Sequence, residues 1–253
     1  MSDHSEFFAP VLQLEECAST NAEAMRLTLA GEAGPFWVTS EKQTGGRGRQ
    51  GRTWTSPPGN LSASLLIRLA CEPITATQLS LVAGLALREA VAEQPGFERV
   101  AGNLRLKWPN DLLLGTAKCA GILVETSVIE ARQLACVIGF GVNIKASPEG
   151  LDRAVTCLYD HGMVTDSSAL LASLDATMGR RMGDWKLGLG FPVICAEWQR
   201  FAGTPGEAIS VNASGTRFSG RYAGLDLDGA LLLKEDGGTI RRIAFGEIVD
   251  ALA

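Results

Sequence analysis

The chain has 253 residues, a formal net charge of −5, 46% hydrophobic residues and 20% charged residues. That length suffices for one well-buried core with a small appended domain, because cores divide only beyond about 250–300 residues. The acidic balance argues against a polyanion as main partner, no apolar run approaches the ~20 residues of a membrane span, and the start MSDHSEFFAP lacks the basic and apolar regions of a signal peptide. The expectation is a cytoplasmic protein with no membrane contact.

Taken from the N-terminus, VLQL (11–14) predicts an apolar strand. Ser19, Thr20 and Asn21 stand ahead of good helix formers and predict a helix with a polar side-chain cap. FWVTSEKQ (36–43) predicts a strand that runs directly into GRGRQGRTWTSPPGNL (46–61), and LSASLLIRL (61–69) predicts the next strand. Apolar residues at helical spacing mark a helix in ATQLSLVAGLALREAVAEQ (76–94). LRLKWPNDLLL (104–114) reads as strand, tight turn and strand, with Pro109 and Asn110 in the turn. AKCAGILVETSV (117–128) and RQLACVIGFGVNI (132–144) are apolar enough to be strands buried on both faces or nearly so. Helical patterns return from about 167 to 200, and from Glu207 the chain becomes short strands punctuated by Gly, Asn and Asp. The expected boundary lies near Gly203 to Gly206, giving domains of residues 1–204 and 205–253.

The six cysteines are scattered without a CxxC pair, which predicts reduced, mostly buried thiols. Only His4 and His161 are present, neither in a motif, so a histidine triad or zinc site is not expected.

Three stretches carry chemistry. In the first, glycines at 45, 46, 48 and 51 let backbone approach a ligand closely and leave the segment no regular secondary structure. Arg47, Arg49 and Arg52 add planar donor forks suited to phosphate or carboxylate. Together they suggest a loop that orders over a small anion. Nucleic-acid binding and a merely solvated loop are the rival readings. In the second, KWPND (107–111) precedes Lys118, which enters a strand too apolar for a surface edge. A buried ammonium needs a counter-charge, either a protein carboxylate such as Asp111 or an anionic ligand. In the third, GFGVNI (139–144), the Asn143 amide has the paired donor and acceptor that match the edge of adenine.

STN, GRGRQGRTWTSPPGNL, KWPNDLLL, KCAGILVE and GFGVNI occur in the order and approximate spacing of biotin protein ligases, and the chain resembles that family over nearly its whole length. The resemblance implies an α/β fold of α+β type, a mixed-sheet biotin/lipoate ligase-like catalytic domain followed by a small SH3-like β-barrel. It implies activation of biotin by ATP to biotinyl-5′-AMP with release of pyrophosphate, then transfer to a lysine of the biotin carboxyl carrier protein of acetyl-CoA carboxylase or a related carboxylase. Lys118, Arg49 and Asp111 would be catalytic, with Asp111 either orienting Lys118 or assisting Mg²⁺ and the acceptor lysine. Ser19, Thr20, Asn21, Gln43, Arg47, Gly48, Arg49 and Lys118 would bind biotin, and Arg52, Trp54, Lys107, Asn110 and Asn143 the adenylate. Mg²⁺ would accompany ATP through unspecified ligands, and a homodimer is left open.

Two departures from the family pattern matter. Gln50 stands where some relatives carry a further arginine. Because a strand begins by residue 11, no N-terminal helix-turn-helix and hence no DNA partner is expected. The alternatives are a lipoate or octanoyl ligase and a biotin-binding protein without catalysis.

Overall fold

A computed structural model describes residues 9–130 and 133–251; His4 lies outside them. The elements in order are β1 (Val11–Cys17), α1 (Thr20–Leu29), β2 (Phe36–Gln43), β3 (Leu61–Leu69), α2 (Pro73–Ala76), α3 (Leu79–Ala92), β4 (Leu104–Lys107), β5 (Asp111–Leu114), β6 (Ala117–Glu130), β7 (Gln133–Val142), α4 (Ser167–Trp185) and α5 (Phe191–Arg200). β8 (Ala208–Ala213), β9 (Thr216–Leu225), β10 (Leu231–Lys234), β11 (Ile240–Ile243) and β12 (Glu247–Ala251) complete the chain.

β1 to β7 form one sheet of seven strands in the order β1-β2-β3-β7-β6-β5-β4. It is mixed, because β1 pairs with β2 in parallel while the other neighbours are antiparallel. The expected apolar β1 is an edge strand, which leaves Val11 and Leu12 exposed. The two strands expected to be buried on both faces differ. β7 is buried along nearly its whole length, whereas β6 is buried only up to about Ile122 and then carries exposed side chains such as Val128.

Strand alternation assigns the two faces. On β7, Leu134, Cys136, Ile138, Phe140 and Val142 enter the main core, which also takes in the buried faces of α3, α4 and α5. Ala135 and Val137 point the other way and lie with Ala24 of α1, Val38 and Leu66 in a second, smaller apolar cluster. Further along that second face the residues become small or polar: Ser62 and Ser64 on β3, Gly139 and Gly141 on β7. The first turn of α1 sits on part of this floor, with Thr20 and Asn21 reaching Ser64 and Asn21 packed over Gly139, while Gly141 lies under Trp54.

The helix cap departs from expectation. Ser19 occupies the N-cap position in extended backbone, yet its side chain makes no capping bond. Gln43 provides a substitute, its Oε1 accepting from the Thr20 backbone N–H at 2.9 Å. A cap taken from another element frees the Ser19 hydroxyl, which is nearly buried beside the floor.

β8 to β12 make a separate antiparallel sheet in the order β11-β10-β9-β8-β12. It is tied to the 107–111 turn, where the Trp108 indole N–H donates to the Gly229 carbonyl at 3.0 Å. Among the described residues all six cysteines are free, four of them buried, and no helix is long and apolar enough to cross a membrane.

Candidate active site

The arginine loop carries more backbone hydrogen bonding than its glycine content predicts. Arg47 and Thr53 form an isolated antiparallel bridge, Gly48 N–H donates to Arg52 O at 2.7 Å, and Arg49–Gly51 makes a single 3₁₀ turn at the tip. Gln50 and Gly51 turn the corner at positive φ of 57° and 74°. Gly46 is required for a different reason: a side chain there would strike the Trp54 carbonyl.

Each arginine of the loop is held by a different element. Arg47 pairs with Glu125 of β6 at 2.9 Å. Arg49 donates to Asn110 Oδ1 at 3.3 Å and to the Gly246 carbonyl at 3.0 Å. Arg52 pairs with Glu247 at the start of β12. The small C-terminal sheet therefore contributes directly to the wall of the site.

Under the loop lies a pocket with about 60 Å³ of open volume. Of the residues expected to act, Ser19, Thr20, Asn21, Gln43, Arg47, Gly48, Arg49, Arg52, Trp54, Lys107, Asn110, Asp111 and Lys118 all line it. Asn143 is set apart, in a small adjoining recess that shares Trp54 and Lys118 with the pocket. Its Nδ2 donates to the Thr156 carbonyl at 3.1 Å, which leaves a buried Oδ1 without a hydrogen-bond partner. An orphaned buried acceptor is costly unless a donor is supplied, and an exocyclic amino group is such a donor.

The floor is built from cross-strand glycines. Gly121 of β6 faces Gly141 of β7, and a methyl group on Gly141 would overlap the Trp54 indole. Gly139 similarly leaves room for the side chain of Asn21. Glycine here is needed for close approach of side chains from other elements, not for backbone freedom.

At one end of the pocket Lys118 Nζ lies 2.5 Å from Asp111 Oδ1 and 5.4 Å from the centre of the Trp54 ring. Register explains the meeting: a bulge between β5 and β6 lets Lys118 pair with Leu113 while Asp111 pairs with Gly121. Backbone bonds on the other side, Lys118 N–H to Ala154 O and Thr156 N–H to Lys118 O, both 3.0 Å, fix the lysine in place. Burial pushes the Lys118 pKa below its ordinary value, Asp111 pulls it back, and Arg153 and Lys107 add to the lowering. Burial likewise disfavours the charged form of Arg49, opposed chiefly by Glu247, but a guanidinium stays cationic at any physiological pH.

At the other end is a polar cradle. Gln43 Oε1 also accepts from the Thr20 hydroxyl at 3.2 Å, and Gln43 Nε2 donates to Ser62 Oγ at 3.2 Å. Ser64 Oγ lies 2.7 Å from Thr20 Oγ1 and 2.6 Å from Asn21 Oδ1; its one proton can serve only one of them at a time. Asn21 donates from Nδ2 to Leu123 O at 3.2 Å and to Glu125 at 2.8 Å.

Several residues escaped the sequence reading. Glu125 ends the KCAGILVE motif and could have been singled out there. Ser62 and Ser64 look like ordinary strand residues, and Arg153 and Glu247 stand in no motif. Asn60 accepts from the backbone N–H groups of Ile144, Lys145 and Ala146 at 2.9–3.3 Å, holding the chain just past Asn143. Among the described residues no group of three or more His, Cys, Asp or Glu side chains could hold a metal by itself.

The sequence matches the biotin/lipoate A/B protein ligase family over residues 17–143 and the biotin protein ligase C-terminal domain over residues 204–249. It is 36% identical to a biotin–[acetyl-CoA-carboxylase] ligase of Paracoccus denitrificans, covering 87% of this chain and 92% of the relative. A ligase of the same name from Mycobacterium tuberculosis is 30% identical, covering 92% and 86%. The fold is similar to that of the biotin protein ligase of Aquifex aeolicus in complex with biotin and ATP, with TM-score 0.77 and 28% identity over 95% of this chain and 98% of that one. A Leishmania major biotin protein ligase in complex with biotinyl-5-AMP has TM-score 0.62 and 26% identity over 93% and 99%.

Proposed function

Since the chain belongs to the biotin/lipoate A/B protein ligase family, we propose that the pocket described above is where it works as an ATP-dependent biotin ligase. The protein joins biotin to ATP as biotinyl-5′-AMP and passes the biotinyl group to a protein lysine. The observation that carries the assignment of the pocket is its polarity along one axis: the uncharged hydrogen-bonding groups of Ser19, Thr20, Gln43 and Ser62 at one end, bordered by the Arg47–Glu125 pair, and Lys118 with Asp111, Trp54, Arg49 and Arg52 at the other.

We place the biotin ureido ring against Ser19, Thr20 and Gln43. The Ser19 hydroxyl makes no capping bond, and Gly48 and the loop backbone close over the ring. The biotin chain then runs over the glycine floor and brings its carboxylate to Lys118. A carboxylate oxygen attacks the α-phosphorus of ATP, the bond to the β-phosphate breaks, and pyrophosphate leaves. Two anions must meet for this step, so fixed positive charge where charge develops lowers the barrier. Lys118 and Arg49 supply it, with Arg52 and Lys107 available to the phosphates. Trp54 covers the adenylate, and the unpartnered Asn143 Oδ1 receives the adenine amino group.

In the second step the neutral amine of the carrier lysine attacks the acyl carbon, AMP departs with the bonding electrons, and the nitrogen gives up a proton. Asp111 is the carboxylate beside that carbon. The closed loop keeps water from the mixed anhydride in the interval.

Mg²⁺ fits as an ion carried in by the nucleotide. It usually binds through one or two carboxylates plus substrate phosphates, and Asp111 and Glu247 are the carboxylates lining the pocket; there it would neutralise triphosphate charge. We further assign residues 1–204 to catalysis and 205–253 to a barrel domain that buttresses the loop through Gly246 and Glu247. The acceptor is read as the carrier protein of acetyl-CoA carboxylase or a related carboxylase, met in the cytoplasm.

The decisive experiment incubates the protein with ATP, Mg²⁺ and a carrier domain, with biotin in one arm and lipoate in the other. A biotin-sized mass increase on one carrier lysine is expected. Modification by lipoate instead, or ligand binding without pyrophosphate release, would overturn the reading.

A further inference from the structure

Glu125 stands where three parts of the pocket meet. A single carboxylate oxygen, Oε2, accepts from Arg47 Nη2 on the loop at 2.9 Å and from Asn21 Nδ2 at the start of α1 at 2.8 Å. Asn21 is only 4% exposed, and its side-chain amide is fully engaged: Nδ2 also reaches the Leu123 carbonyl, while Oδ1 faces Ser64 Oγ. Such an amide has no donor to spare for a ligand. It holds the cradle together, and Ser64 passes that constraint to Thr20.

We propose that Glu125 is a positioning residue that latches the arginine loop over the biotin end of the pocket and, through Asn21, fixes the cradle in the same closed arrangement. This rests on the biotin-ligase reading of the pocket. The carboxylate suits the task because one anion accepts two hydrogen bonds in the plane of its group, one of them from a guanidinium. The Arg47–Glu125 pair is partly exposed, with side-chain accessibilities of 48% and 33%, so it contributes little to global stability. Loop closure is a far smaller equilibrium than folding, and a bias too weak to show in the melting temperature still changes how long the loop stays shut. Loop and cradle share one acceptor oxygen, so their order is coupled: freeing either partner leaves the other held by a carboxylate free to turn.

The test compares the parent with Glu125→Ala, Glu125→Gln, Arg47→Ala and the double variant Glu125→Ala/Arg47→Ala. Three quantities are measured: the dissociation rate of preformed biotinyl-AMP, kcat and KM for biotin in pyrophosphate release, and hydrogen exchange over residues 45–54. Glu125→Ala is expected to raise biotin KM and the dissociation rate roughly 3- to 10-fold, the range of one charge-assisted contact, with kcat changed less and loop exchange accelerated. Glu125→Gln keeps an acceptor oxygen and should fall between parent and alanine. The double variant should match Glu125→Ala, because the arginine has nothing left to lose. Unchanged release and exchange, single effects that multiply, or a fall in kcat at constant KM would each overturn the latch. If Glu125→Ala unfolds, Arg47→Ala, which leaves Asn21 alone, still decides the question through release and exchange. A parent protein that releases no pyrophosphate with biotin would defeat the ligase reading itself, while loop exchange in the variants would still judge the latch.

Discussion

The Trp54 indole lies against Gly141 so closely that a methyl group on the glycine would overlap the ring. A residue of the arginine loop thus rests on a strand far from it in sequence, and the fit depends on a missing side chain. Gly141→Ala should weaken binding of ATP and biotinyl-AMP at least 10-fold, the equivalent of about 1.4 kcal/mol, by displacing the indole. The strand itself should tolerate alanine, because Gly141 has no positive φ. Calorimetric titration together with a melting curve distinguishes the two: normal affinity with a large loss of stability would show that Trp54 does not depend on the floor.

Lys118→Ala should cut pyrophosphate release with biotin and ATP by about 10²–10³, or roughly 3–4 kcal/mol of transition-state stabilisation, as for loss of one preorganised donor. Biotin affinity should fall less, because the cradle lies at the other end of the pocket and only interactions stronger in the transition state raise turnover. Transfer from synthetic biotinyl-AMP to the carrier, assayed separately, locates the step. Normal pyrophosphate release would return Lys118 to a purely structural pair with Asp111.

Asp111→Asn should shift the alkaline limb of adenylate formation to lower pH. Burial depresses the Lys118 pKa and the Asp111 carboxylate opposes it, so loss of that charge lets the ammonium deprotonate at lower pH. For stability the sign is the reverse. A lysine whose folded pKa is depressed binds fewer protons folded than unfolded, so its cost diminishes as pH rises from the folded pKa towards the ordinary value near 10.5. Matched pH–rate profiles of parent and variant check this, and coincident alkaline limbs would contradict it.

Residues 45–56 should exchange backbone hydrogens quickly in the free protein and slowly with biotinyl-AMP bound. A volume of about 60 Å³ is well below the 300 Å³ or more typical of small-molecule sites, so the loop must open to admit a ligand. Arg49→Ala should release the adenylate faster with little change in melting temperature. Exchange that is equally fast or equally slow in both states would remove the lid.

Arg181 tests the scaffold away from the site. It is 8% exposed and joins α4 to Glu89 of α3 and Glu197 of α5. The glutamates retain 26% and 27% side-chain accessibility, so Arg181→Ala should cost about 2–3 kcal/mol, less than a fully buried pair. Chemical denaturation measures it, and a loss below about 1 kcal/mol would class the cluster with ordinary surface pairs.

The sequence by itself determined which local elements form and what chemistry they carry. Periodicity marked α3 and the strands, a lysine entering an apolar strand demanded a counter-charge that Asp111 supplies, and glycine with arginine pointed to a loop suited to anions. These inferences depend on neighbours along the chain, where spacing and side-chain chemistry are legible directly. Tertiary structure decided what meets across distance. It made Gln43 the substitute cap of α1, set Gly121 and Gly141 side by side as the floor for Trp54, and buried the cradle serines of β3 against Thr20, Asn21 and Gln43. It also brought Gly246 and Glu247 to Arg49 and Arg52, and Glu125 to Arg47. Each of these rests on sheet register and on where the first turn of a short helix meets the sheet. A shift of one residue in a strand would turn every such side chain to the opposite face, and no local pattern in the chain records that register.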